Sequence, residues 1–133
     1  MSSVDLSTHP VTPTSFGRWQ PLNAPLGVTA FGISANICDP DEPFSIDHDE
    51  SETNQQEVYI VIAGQARFTI GEETVDAAAG EIVAVTDPAV TRGWEALAPG
   101  TRIVCVGAEP AGGETSFGQW ITDAATGDDV PGH

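Results

Sequence analysis

The chain has no lysine, and its positive charge comes from four arginines set against 20 acidic residues, a formal net charge of −16 over 133 residues. A surface this negative repels phosphate backbones and anionic headgroups, so neither nucleic acid nor a membrane surface is expected as a partner. Cysteine is scarce too. Cys38 and Cys105 are too few for a disulfide framework, and both stand in apolar runs (Ala35-Asn-Ile-Cys38 and Ile103-Val-Cys-Val106), where a thiol is expected to pack as a small hydrophobe. No run approaches the ~18 apolar residues of a membrane-spanning helix. Met1 to Ser15 lacks both a basic start and an apolar h-region, so a cytoplasmic protein is expected. No long apolar segment repeats every 3.6 residues, which predicts little helix. Ser-His-Asp, Cys-His, phosphate-loop and CxxC patterns are also missing, and with them the commonest catalytic templates.

What is present is strand and turn. Fourteen glycines and ten prolines punctuate short Val/Ile-rich runs. Glu57 to Ala63 alternates Glu57, Tyr59 and Val61 on one face with Val58, Ile60 and Ile62 on the other, the two-residue period of a strand. Gly64-Gln65 turns the chain into a second strand over Ala66 to Ile70. Gly71-Glu72 turns it into a third over Glu73 to Ala77, and Ala78 to Gly80 turns it again. Glu81 to Thr86 and Arg102 to Gly107 read as further strands, separated by the loop signals Asp87-Pro88 and Pro99-Gly100. The pattern predicts an all-β barrel or sandwich. Its length lies within the ~100–200 residues of one domain. We expect one domain over residues 15–122, flanked by a loose Ser/Thr/Pro-rich segment over 1–14 and a loose acidic tail over 123–133.

The chain resembles the cupin superfamily of small jelly-roll barrels (double-stranded β-helices, RmlC-like), whose first motif is approximately G-x5-H-x-H-x3,4-E-x6-G and whose second is G-x5-P-x-G-x2-H-x3-N. Glu57 and Gly64 fit the E-x6-G half, and Gly80 fits the opening of the second motif. On that spacing the first-motif histidines fall at Ser51 and Thr53, or at Glu50 and Glu52 with the longer spacer. The second-motif histidine falls at Thr91 and its asparagine at Glu95, so only Glu57 survives of the usual metal ligands. The run Asp87 to Gly93 also looks like a histidine-poor cupin subgroup of unassigned role. The resemblance spans about Phe31 to Ala108.

In such a barrel the face carrying Glu57 and Tyr59 points inward, which gives an expected pocket of Ser51, Thr53, Glu57, Tyr59, Thr91, Arg92 and Trp94. Hydroxyls and a single carboxylate hold transition metals weakly, so no cofactor and no metal is expected. If the strand were shifted or bulged, His48, with Glu50 or Glu52 and with Glu57, would rebuild a two- or three-ligand site; the plainer expectation is a solvated acidic turn carrying an exposed His48. Burial is expected to satisfy Glu57 through Tyr59, hydroxyls or water, or else to raise its pKa and poise it for proton transfer. Arg92 is expected to pair with Glu57 or Glu95, or to clamp a carboxylate ligand.

Three classes of function follow. The first is metal-free binding of a small organic molecule. The second is a metal-independent isomerase, epimerase, cyclase or lyase using Glu57 or Tyr59 as acid or base. The third is a metal-dependent oxygenase or isomerase with substituted ligands. A homodimer is expected through the face of Val58, Ile60 and Ile62 with the Phe16–Trp19 segment. The echo between Ser15-Phe-Gly-Arg-Trp19 and Ser116-Phe-Gly-Gln-Trp120 is expected to close barrel edges.

Overall fold

The computed structural model describes residues 1–14, 17–42 and 47–110. Over these the chain forms nine strands and one four-residue helix: β1 (Thr12–Thr14), β2 (Gly17–Pro21), α1 (Asn23–Leu26), β3 (Gly32–Cys38), β4 (Gln56–Ala63), β5 (Gln65–Ile70), β6 (Glu73–Ala78), β7 (Ile82–Val85), β8 (Arg92–Ala96) and β9 (Thr101–Ala108). They build a six-stranded sheet in the order β1-β2-β3-β9-β4-β7 and a three-stranded sheet in the order β6-β5-β8, with every pairing antiparallel. The expected all-β jelly-roll architecture with little helix is what the molecule has.

Gly64 is where the chain leaves the larger sheet for the smaller. Its φ of 73° lies in the left-handed region, and a Cβ there would press into Oγ1 and Cα of Thr101. Only glycine allows β4 to turn directly into β5 over β9. The two sheets then face each other across an apolar core that includes Tyr59, Val61, Phe68, Trp94 and Ile103. The rings of Tyr59 and Phe68 lie 5.4 Å apart and those of Phe68 and Trp94 6.5 Å apart, so aromatics from both sheets seal the interior. Phe68 is 1 % exposed, and burial of such a side chain contributes about 1.5–3 kcal/mol.

Alternation along β4 sends Glu57, Tyr59 and Val61 inward and leaves Val58 and Ile60 half-buried on the outer face. The strands expected between residues 57 and 107 are present with bounds shifted by one or two residues. The sequence reading misses β8, because Arg92-Gly-Trp-Glu-Ala96 has no β-branched residue and no apolar alternation. Within the segment over 1–14 the structure shows two attachments to the barrel. β1 pairs with β2, and the buried Gln20 donates through Nε2 to the carbonyls of Leu6 and His9 at 3.0 Å each. Trp19 sits half-buried in β2, whereas residues 15–16, 43–46 and everything from residue 111 onward, including the Ser116–Trp120 half of the echo, lie outside the described residues. No helix among the described residues is long and apolar enough to cross a membrane.

Candidate functional site

Glu57 is the centre of a polar cluster at one end of the barrel interior. Gly107 stands opposite it on β9, and a Cβ at that position would lie 3.4 Å from Glu57 Cγ, so the glycine makes room for the carboxylate. Glu57 Oε1 accepts from the Tyr59 hydroxyl at 2.9 Å and from Arg92 Nη1 at 2.7 Å. Glu57 Oε2 accepts from the Cys105 thiol at 3.2 Å. Cys105, expected to be only a small hydrophobe, therefore belongs to the polar cluster. Its place could have been found by pairing the two strands, since Tyr59 lies directly across from Cys105.

Arg92 is 1 % exposed and fully engaged. Its Nε donates to the carbonyl of Val90 at 2.8 Å and its Nη2 to that of Asp87 at 2.9 Å, while Nη1 meets Glu57. The planar fork thus matches two loop carbonyls and one carboxylate at once, a geometry lysine cannot reproduce. The ion pair is buried, so each partner depends on the other: removing either leaves an uncompensated charge.

His48 arrives through a single antiparallel bridge to Arg92, each backbone N–H donating to the other's carbonyl at 2.9 and 2.7 Å. Asp47 packs against the bare backbone of Gly93, where any Cβ would collide with its carboxylate. The bridge puts His48 Nε2 3.2 Å from Glu50 Oε1 and 3.5 Å from Glu57 Oε1, with the imidazole 42 % exposed. His48 is therefore no free turn residue but the solvent-facing cap of the cluster. Residues 51–54 form a turn: the Thr53 and Asn54 N–H groups both donate to the Glu50 carbonyl, and Asn54 takes a left-handed φ of 54°.

Of the expected pocket residues, the structure brings Glu57, Tyr59 and Arg92 together and turns Trp94 into the apolar core beside Phe68. It leaves the other three outside. Ser51 and Thr53 are exposed in the turn, and the Thr53 hydroxyl donates back to Glu50, to Oε2 at 2.6 Å and to the carbonyl at 3.4 Å. Thr91 is exposed next to the inward-pointing Arg92 and contributes its carbonyl to Gly71. Glu52 is exposed in the same turn and does not join the cluster.

The proton-transfer expectation is reversed. Burial alone would raise the Glu57 pKa, but the donors from His48, Tyr59, Cys105 and Arg92 outweigh it and pull the pKa down to about 2. Glu57 is an ionised, weakly basic carboxylate at neutral pH. Burial, together with the adjacent Glu57 charge, pushes the Tyr59 phenol and the Cys105 thiol well above their ordinary values, so both keep their protons. A proton acceptor is best tuned near the working pH, and none of these three is.

The ligand atoms of His48, Glu50 and Glu57 lie within 4.8 Å of one another, a donor set in which a divalent ion would find an imidazole and two carboxylates. The cluster nevertheless fits such an ion poorly. Glu57 Oε1 already bonds Arg92, whose charge cancels one of the two carboxylates. An ion about 2.1 Å from that oxygen would lie within about 4.8 Å of the guanidinium, a repulsion on the order of 7 kcal/mol even at an effective dielectric near 20.

Barrels of known structure share this architecture. A cupin protein from Bacteroides fragilis superposes with a TM-score of 0.60 over 81 % of this chain and 90 % of its own, at 19 % identity. The chain has the cupin fold. A Cupin 2 barrel domain protein from Salinispora arenicola gives a TM-score of 0.63 at 17 % identity, covering 82 % of this chain and 89 % of its own. KdgF from a Halomonas species gives 0.65 at 12 % identity, covering 80 % and 94 %. No family model and no curated protein matches the sequence. Identities this low place the cupin fold and leave the chemistry to the residues of this chain.

Proposed function

We propose that this cupin-fold protein binds a small organic molecule, neutral or cationic, at the end of the barrel capped by His48 and Glu50, without a metal ion. The observation that carries the reading is the saturated Glu57 carboxylate, which accepts from Arg92, Tyr59 and Cys105 and so is spent on holding the site's shape. Solvent reaches the cluster through His48, beside Glu50. The cluster sets two carboxylates against one guanidinium and the whole molecule carries a formal net charge of −16, which disfavours an anionic ligand. A ligand bound only to the native state raises its melting temperature. Thermal-shift titration against neutral polyols, amines and carboxylates should therefore show stabilisation by members of the first two groups, lost on His48→Ala. Stabilisation by carboxylates alone, or by nothing in the panel, would defeat the reading.

The binding unit is a homodimer in this proposal. Ile62 and Ile82 stay 43 % and 62 % exposed on the outer face of the larger sheet, next to the half-buried Val58 and Ile60. A second copy of the same face would cover them.

A further inference from the structure

Three donors converge on one oxygen, Glu57 Oε1: Arg92 at 2.7 Å, Tyr59 at 2.9 Å and His48 Nε2 at 3.5 Å. Around that oxygen stand His48, Glu50 and Glu57, whose ligand atoms all lie within 4.8 Å of one another. An imidazole and two carboxylates so close together would ordinarily gain by sharing a cation. Here the cation is covalently part of the chain. Arg92 cannot swing aside, because the carbonyls of Asp87 and Val90 hold its other nitrogens and the side chain is 1 % exposed.

We infer that Arg92 is a built-in substitute for a divalent ion: its guanidinium takes the ion's place beside Glu57, and it is the residue that keeps His48, Glu50 and Glu57 from forming a metal site. This goes beyond the ligand-binding reading and does not depend on it. Two physical consequences follow. Replacing Arg92 by histidine removes the repelling charge and offers a second imidazole from the strand position that the bridge to His48 aims at the cluster. Replacing it by lysine keeps a charge near the same oxygen and should keep metal out, although the two loop carbonyls lose their fork.

The test is titration of the intact chain with Co2+ and with Mn2+, followed by calorimetry, by the cobalt visible spectrum and by manganese electron paramagnetic resonance. Wild type, Arg92→His, Arg92→Lys and the double variant Arg92→His with Glu57→Gln are compared after circular dichroism has established that each is folded. The expected result is no stoichiometric ion in wild type or Arg92→Lys, and one ion in Arg92→His. That ion should bind at least about 100-fold more tightly than to wild type, as removal of a unit charge a few ångströms away requires. The added Glu57→Gln should abolish it. If Arg92→His folds only when Co2+ is present, that metal-dependent folding is the same result read as stability. One ion bound by wild type and lost on His48→Ala overturns the inference, as does a folded Arg92→His that binds no ion. The titrations contain no organic molecule, so a failed ligand screen and a failed metal titration are separate results.

Discussion

Glu57→Gln keeps the shape of the side chain and removes the charge that Arg92 faces. Because Arg92 is buried, the substitution leaves a guanidinium without a counter-charge and should cost about 3–5 kcal/mol, contrary to the expectation for an isolated core carboxylate, where the amide would be neutral or stabilising. Pairing it with Arg92→Met should recover much of that loss, so that the double variant is more stable than the sum of the two singles predicts; denaturant unfolding of all four proteins measures the coupling. Acid should erase the difference. Glu57 has its pKa lowered from 4.5 to about 2, so its stabilising contribution is complete above the unfolded value and is lost as pH falls from 4.5 through about 2. At about 1.4 kcal/mol per pH unit that contribution is on the order of 3 kcal/mol. Melting curves of wild type and Glu57→Gln should therefore be well separated at pH 7 and converge toward pH 2; a separation unchanged at low pH would show that the Glu57 charge carries no stability. The sequence makes Glu57 and Tyr59 legible because strand alternation fixes which way each side chain points, and Arg92 because it is one of only four cations and follows the Asp87-Pro88 loop. It leaves Cys105 illegible, because membership of the cluster is set by which strands are neighbours across the sheet, and no local pattern encodes the β4–β9 pairing.

The element that decides what the site can do is the short stretch Asp47–Asn54. The bridge between His48 and Arg92, the Glu50 N–H bond to the Pro88 carbonyl and the turn after Glu50 together carry one imidazole and one carboxylate to the rim. A fixed spacing counted back from Glu57 lands on Ser51 and Thr53 or on Glu50 and Glu52, and the turn at 51–54 is why it misses His48. A charge run around a single histidine has the composition of a solvated loop, and only the tertiary bridge tells the two apart. Gly93 sits beneath that stretch, and a Cβ there would meet Oδ1 of the exposed Asp47, the free end of a side chain that can turn aside. Gly93→Ala is therefore expected to rotate the Asp47 carboxylate into solvent with little change in melting temperature and no change in amide exchange at His48 and Arg92. Raised exchange at both amides would mean that the bridge depends on the bare backbone of Gly93. The β4–β5 turn was easier to read. Gly64 is marked by its place between two alternating runs, and its left-handed backbone against Thr101 supplies the physical reason.

At the scale of the whole molecule, 20 acidic residues against four arginines leave strong self-repulsion that mobile ions screen. The melting temperature should rise as sodium chloride is increased from about 0.01 M to about 0.5 M, across which the screening length shrinks from roughly 30 Å toward a few ångströms. A melting temperature independent of salt would show that the acidic surface is balanced locally by its own ion pairs, such as Arg67 with Asp76 and Arg18 with Glu42. Assembly is the second molecular-scale outcome. Ile82→Glu, on the exposed edge strand β7, should convert a dimer seen by sedimentation into a monomer, and a wild-type monomer throughout the micromolar range would remove the dimer from the account. The fold itself was legible because turns, alternation and the Glu57–Gly64 and Gly80 landmarks all agree, whereas the N-terminal segment was not, since its attachment runs through Gln20 and a non-local strand pair. The claim on which the rest stands is that Arg92, and no metal ion, neutralises the Glu57 carboxylate. Elemental analysis of the purified protein, with melting curves recorded before and after chelation by EDTA, tests it most directly. The account predicts less than a stoichiometric amount of any transition metal and an unchanged melting temperature. A melting temperature that falls on chelation and is restored by one equivalent of a divalent ion would contradict it.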